Sequence, residues 1–133
     1  MTLTREEIQG MKPGREMDAL IAEKVLGWTD IRRVNPAVIH SFSADGNHAN
    51  FGFSPVLYKH VPFPLYSTDI SAAWEVESIF DQDTPLREDY AIELHNVMGL
   101  MLHEPTTLNN VYQFAHATPE QRCKAALLAV LNL

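Results

Sequence analysis

The sequence predicts an α+β fold, and two observations carry that prediction. Capping boxes at Thr4…Glu7 and Thr118…Gln121 open helices near both ends of the chain, and a long stretch between them alternates with period two. The chain has 133 residues, 46% of them hydrophobic and 20% charged, which suits one domain spanning 1–133 around one core.

The elements follow in order. A helix begins after Thr4 and is stopped by Lys12-Pro13-Gly14. A second runs from Arg15 to Leu26, with Met17, Leu20, Ile21 and Val25 on one face and Gly27 as its stop. Trp28 to Val34 reads as a strand. Asn35 to Pro64 is irregular and rich in proline, with a turn at Asp45-Gly46 between short strands at Val38–Phe42 and Asn50–Phe53. Pro64 keeps the next approach extended, and Ser67 or Thr68 caps a helix over Ile70–Phe80 whose broad apolar face includes Trp74. From Asp89 to Phe114 the period is two: Tyr90, Ile92, Leu94 and Asn96 share one side, Ala91, Glu93 and His95 the other. Val97–Leu102 and Val111–Phe114 continue this as two or three antiparallel strands with a turn at Asn109-Asn110. Thr118, Pro119 and Gln121 then open a closing helix that buries Cys123, Ala126, Leu127, Val130 and Leu131.

Charge and motifs narrow the chemistry. A net charge of −7 excludes a duplex nucleic-acid binder, which needs a basic face, but leaves room for a small anion in a local basic pocket. No apolar run reaches the length that spans a bilayer, the opening MTLTREEIQG has no secretory character, and a single cysteine suits the cytoplasm. His40, His48, His60, His95, His103 and His116 show no metal-ligand spacing. Cys123 sits on an apolar stripe and reads as core. No serine-nucleophile elbow, phosphate loop or dinucleotide fingerprint is present, so neither catalysis nor a cofactor is expected. The pairs Glu75/Glu77 and Asp81/Asp83 read as solvated surface. Three features could still serve a ligand: the helix entrance at Tyr66–Asp69, where Asp69 would repel an anion; the helical cations Lys24, Arg122 and Lys124; and the aromatics Trp28, Phe42, Phe51, Phe53, Tyr58, Phe63 and Tyr66.

Three stretches carry a resemblance. Tyr66-Ser67-Thr68-Asp69-Ile70-Ser71-Ala72-Ala73-Trp74-Glu75-Val76 is similar to the central motif of the phage ABA sandwich domain. Ala117 to Leu131 resembles that family's closing helix, and Leu20 to Trp28 its first helix and tryptophan. The resemblance implies a three-layer α/β/α sandwich with a mainly antiparallel sheet, of phage or prophage origin. It extends to the Thoeris anti-defence sponges of phages, which sequester cyclic ADP-ribose isomers, some also cyclic trinucleotides, without cleaving them. It therefore implies a non-enzymatic, oligomeric protein of the host cytoplasm that holds a small anionic nucleotide. The implied binding residues are Lys24 and Lys124, then Trp28, Tyr66 and Arg122 from the motifs, with Asn96 added as a polar residue at a strand end. Two alternatives remain open: a phage protein–protein module with no nucleotide ligand, and a small hydrolase.

Overall fold

The structure, a computed structural model, describes residues 3–32, 51–100 and 107–133, with the backbone alone for Arg32 and Phe51. The strand read at Val38–Phe42 and the turn at Asp45-Gly46 lie outside these residues.

Helix α1 (Arg5–Gln9) starts where the capping box places it: the Glu7 N–H donates to Thr4 Oγ1 and the Thr4 N–H to Glu7 Oε2, each at 3.2 Å. Helix α2 (Arg15–Leu20) widens into a π-helical turn over Ile21–Val25, closed by the Leu26 N–H on Ile21 O at 3.0 Å. The Trp28 N–H then reaches Ala22 O at 2.8 Å across Gly27, whose φ of 76° is the left-handed conformation that a helix stop of this kind requires. Strands β1 (Thr29–Arg32), β2 (Phe51–Phe53) and β3 (His60–Pro62) form an antiparallel sheet in that order. A Cβ on Gly52 would stand 3.0 Å from Thr29 O and 3.2 Å from the Phe63 ring, so the residue opposite Val61 has to be small.

Helix α3 (Ile70–Ser78) begins where the sequence places it, but neither Ser67 nor Thr68 is its cap. Its cap is Asp69, whose Oδ1 accepts from the Ser71 N–H at 2.9 Å. Ser67 is committed elsewhere: its Oγ accepts from the Gly14 N–H at 2.8 Å and donates to Asp18 Oδ1 at 2.7 Å. It therefore joins the start of α2 to the approach to α3. The face α3 buries is Ala72, Ala73 and Val76, continued by Phe80, while Trp74 points away and is 54% exposed.

The period-two stretch is the main correction. Residues 84–97 form helix α4 (Thr84–Val97) and residues 108–115 form helix α5 (Leu108–Ala115), not strands. Asp83 Oδ1 caps α4 by accepting from the Leu86 N–H at 3.1 Å, and Pro85 lies in the first turn, where a missing N–H costs nothing. The buried positions Tyr90, Glu93 and Leu94 are spaced for a helix, whereas Ile92, which the alternation placed beside Tyr90, is exposed. Glu93 tolerates burial because Arg5, from α1, grips both its oxygens at 3.0 and 2.6 Å. Burial alone would raise its pKa; the Arg5 and Asn96 hydrogen bonds and the Arg5 charge outweigh that and hold it below the usual carboxylate range.

Helix α6 (Pro119–Leu131) opens on the predicted box, with the Gln121 N–H on Thr118 Oγ1 at 3.1 Å. It is buried around most of its circumference, from Arg122 and Cys123 through Ala125–Ala129, as a helix central to its fold must be. Helices α1, α3, α4 and the π-turn all pack on it. Its alanines let these neighbours approach closely. Among the described residues the architecture is a helical cluster around α6 with a small antiparallel sheet, an α+β fold.

Asp18, buried in α2, accepts from both the N–H and the hydroxyl of Ser67, at 2.8 and 2.7 Å. Burial raises its carboxyl above the ordinary value and the Ser67 bonds offset this only in part. A raised folded-state pKa means that its contribution is most favourable below the unfolded-state pKa and declines as pH rises through the folded value. Asp18→Asn keeps the Oδ1 acceptor without the charge. Its stability advantage over the parent should therefore widen with rising pH in denaturant titrations. Asp18→Ala leaves the buried Ser67 N–H without an acceptor and should cost about 1–3 kcal/mol.

Candidate functional site

Helices α3, α4 and α5 diverge above α6 and leave a cleft of about 590 Å³. The floor is Arg122, 5% exposed. Its Nε–H donates to Ala117 O at 3.0 Å, one terminal nitrogen to Phe114 O and Ala115 O at 3.3 Å each, and the other to Glu77 Oε2. The guanidinium thus satisfies the last carbonyls of α5 and binds α3 through Glu77. Tyr90 of α4 donates to the same Glu77 oxygen at 2.6 Å. Burial first, then the Glu77 bond and charge, push the Tyr90 hydroxyl further from ionisation. Phe80 and Tyr90 stack at 4.5 Å behind it.

The rim is different in character. Trp74, on α3, is exposed over the cleft. Arg87, on α4, donates to Asp81 O at a long 3.4 Å and otherwise faces solvent. His95 packs edge-on against Phe114 at 4.3 Å. Its Nδ1 lies 2.9 Å from Ala91 O, so Nδ1 carries the proton and Nε2 is left for a ligand. Asp81 adds one carboxylate to the rim. An aromatic plane with one cation, Arg87, and two hydrogen-bond acceptors, His95 Nε2 and Asp81, can hold a planar, charged ligand.

A second cleft, of about 680 Å³, lies between the sheet and α3. Its walls include Trp28, Tyr66, Pro55, Val56, Leu57 and Ile79. Trp28 meets Phe63 edge-on at 5.0 Å. A third, of about 250 Å³, is lined by Arg5, Glu93 and Asn96.

The residues singled out from the sequence are therefore dispersed. Trp28 and Tyr66 meet in the second cleft. Arg122 reaches the first, but as a buried fastener whose donors are already engaged. Asn96 belongs to the last turn of α4 rather than a strand end, and its amide donates to Glu93 Oε1 at 2.9 Å. Lys124, with its side chain 12% exposed, closes α1 by donating to Gln9 O at 2.7 Å and pairs with Glu120 at 2.9 Å. Lys24 is exposed and stands 3.4 Å from its neighbour Glu23. Neither lysine lines any of these clefts.

Among the described residues no three histidine, cysteine or acidic side chains converge as a metal site, and no helix is long and apolar enough to cross a membrane. Burial pushes the Cys123 thiol up to about 12, and its Sγ–H donates to Tyr66 O at 3.2 Å.

The family model of the phage ABA sandwich domain matches residues 19–127. The chain belongs to that family. No curated protein and no solved structure matches it. All three stretches that carry the resemblance contribute walls to the two larger clefts of this ABA sandwich protein. Sequence reasoning missed Trp74, Arg87 and His95 as rim residues. Trp74 was legible: at 100° per residue it falls opposite Ala72, Ala73, Val76 and Phe80. His95 was hidden by the strand assignment, which put it on no common face with α3, and Arg87 lies just before that stretch, in residues assigned to no element.

Two substitutions separate fastening from binding. Arg122→Met removes the charge partner of Glu77 and a donor to three carbonyls, and should lower unfolding free energy by about 3 kcal/mol. Arg87→Ala, at an exposed position, should stay within about 0.5 kcal/mol of the parent in the same denaturant titration.

Proposed function

We propose that this phage ABA sandwich protein captures a small anionic nucleotide in the α3–α4–α5 cleft and releases it unchanged. One observation carries the reading: Trp74 stands exposed over the same cleft as Arg87 and His95. A nucleobase stacks on the indole, its phosphates face Arg87, and its hydroxyl or amino donors face Asp81 and His95 Nε2. Binding without turnover is consistent with Tyr90 and Cys123, whose protons are held tightly. Capture needs ground-state affinity, not groups aimed at a transition state. The finer form of the proposal is sequestration of immune-signalling nucleotides in the host cytoplasm, cyclic ADP-ribose isomers foremost. That form follows from the resemblance to Thoeris sponges. The same proposal takes the fold as the family's three-layer sandwich, with the small sheet as one layer.

A second reading rests on a separate observation. Helix α5 buries no side chain, and Leu108, Val111 and Tyr112 form an exposed apolar stripe on it. A protein partner, including a second copy of the chain, would cover such a stripe.

A thermal-shift screen decides between them. A nucleotide at 100 times its Kd adds about 2.7 kcal/mol, or about 10 °C for a chain of this size. The expected result is a shift with one cyclic nucleotide that is recovered intact, abolished in Trp74→Ala and in Arg87→Ala while both retain the parent's unliganded Tm. No shift across cyclic ADP-ribose isomers, cyclic dinucleotides and cyclic trinucleotides would end the nucleotide reading. A dimer dispersed by Val111→Glu would then support the second.

A further inference from the structure

The cleft between the sheet and α3 has a different chemistry and carries a separate assignment. Its volume of about 680 Å³ lies within the range of small-ligand sites. Its walls are apolar: Trp28, Val56, Leu57, Pro64 and Ile79. The buried Ser54 Oγ accepts from the Val56 and Leu57 N–H groups at 3.2 and 3.0 Å and so shapes the β2–β3 turn that forms the lip. Tyr66 is 2% exposed, and its hydroxyl is held protonated by burial and then by the Glu75 charge.

Glu75 is the one charged side chain among the residues that line this cleft. Among the described residues it has neither an ion pair nor a side-chain hydrogen bond, unlike Glu77 and Glu93, which are both held by arginines. A lone carboxylate at the side of an apolar cavity selects against anions by repulsion and for a cation by attraction. We propose that this cleft is a second ligand site, for an amphiphilic organic cation whose apolar body lies against Trp28 and Leu57 and whose ammonium head meets Glu75. The site is independent of the nucleotide reading: it shares no lining residue with the α3–α4–α5 cleft and has the opposite charge preference.

The test is an NMR titration of the Trp28 indole N–H. Trp28 and Trp74 are the two tryptophans of the chain, so a Trp74→Phe background leaves Trp28 as the sole indole and also removes the nucleotide platform. The probes are 2-(1-naphthyl)ethylammonium and the matching carboxylate, 3-(1-naphthyl)propionate. The expected result is saturable movement of the Trp28 resonance with the amine, about fivefold tighter than with the carboxylate, since pairing with an exposed carboxylate is a modest interaction. Glu75→Gln should bring the two probes to equal affinity without changing the spectrum of the free protein. Equal affinity in the parent, an unmoved Trp28 resonance, or an amine preference that survives Glu75→Gln would each overturn the proposal.

Discussion

A single buried guanidinium organises most of what surrounds the α3–α4–α5 cleft. A charge this deep is tolerated only where its donors are satisfied, and Arg122 reaches acceptors on three sides of itself. Its carbonyl contacts end α5 and fix the turn into α6. Its bond to Glu77 sets the rotation of α3, and Glu77 in turn orients Tyr90 and with it α4. The cleft is the space left when three helices are splayed around one arginine side chain. Arg5 does the equivalent work lower down, joining α1 to α4 through Glu93. In both places an acidic chain uses a scarce cation for architecture.

Helix α3 separates two chemistries by periodicity alone. Its inward arc of small and branched residues lets it lie close against α6, and this fixes its orientation. Residues 74, 77 and 81 then face one cleft and residues 75 and 79 the other. Neighbours in sequence, Trp74 and Glu75, line different clefts. A shift of α3 by one residue would rotate it by about 100°, bringing Trp74 to the place of Glu75 and driving Glu75 to the buried place of Val76.

What the sequence revealed and what it hid have physical causes. Capping is local, so both boxes and the Gly27 stop were readable from three or four consecutive residues and hold in the structure. Helix α4 was misread because Tyr90, Ile92 and Leu94 alternate like a strand, and the apolar residue at 92 lies on its exposed side. Between Tyr90 and Leu94 its true face buries Glu93, which no hydrophobic pattern flags, and whose partner Arg5 is 88 residues away in the chain. The cap at Asp83 and the proline at 85 were the local signals that outweigh such alternation. The candidate site suffered similarly. Arg122 and Lys124 looked like ligand-binding cations because they are basic and helical, yet Arg122 is taken up by Glu77 and three carbonyls and Lys124 by Glu120 and the Gln9 carbonyl. Trp28 and Tyr66 did come together, since both belong to the stretches that define the family.

Helix α5 gives the first cleft one wall unlike the others. Helices α3 and α4 are anchored by side chains in the core, but α5 buries none of its own and is held by its Thr107 cap, the His95–Phe114 ring contact and the carbonyls that Arg122 gathers at its end. A wall fastened mainly at one terminus can pivot about that terminus without disturbing the packing behind it. The width of the first cleft therefore depends on the few contacts of α5, and on core packing only through α3 and α4.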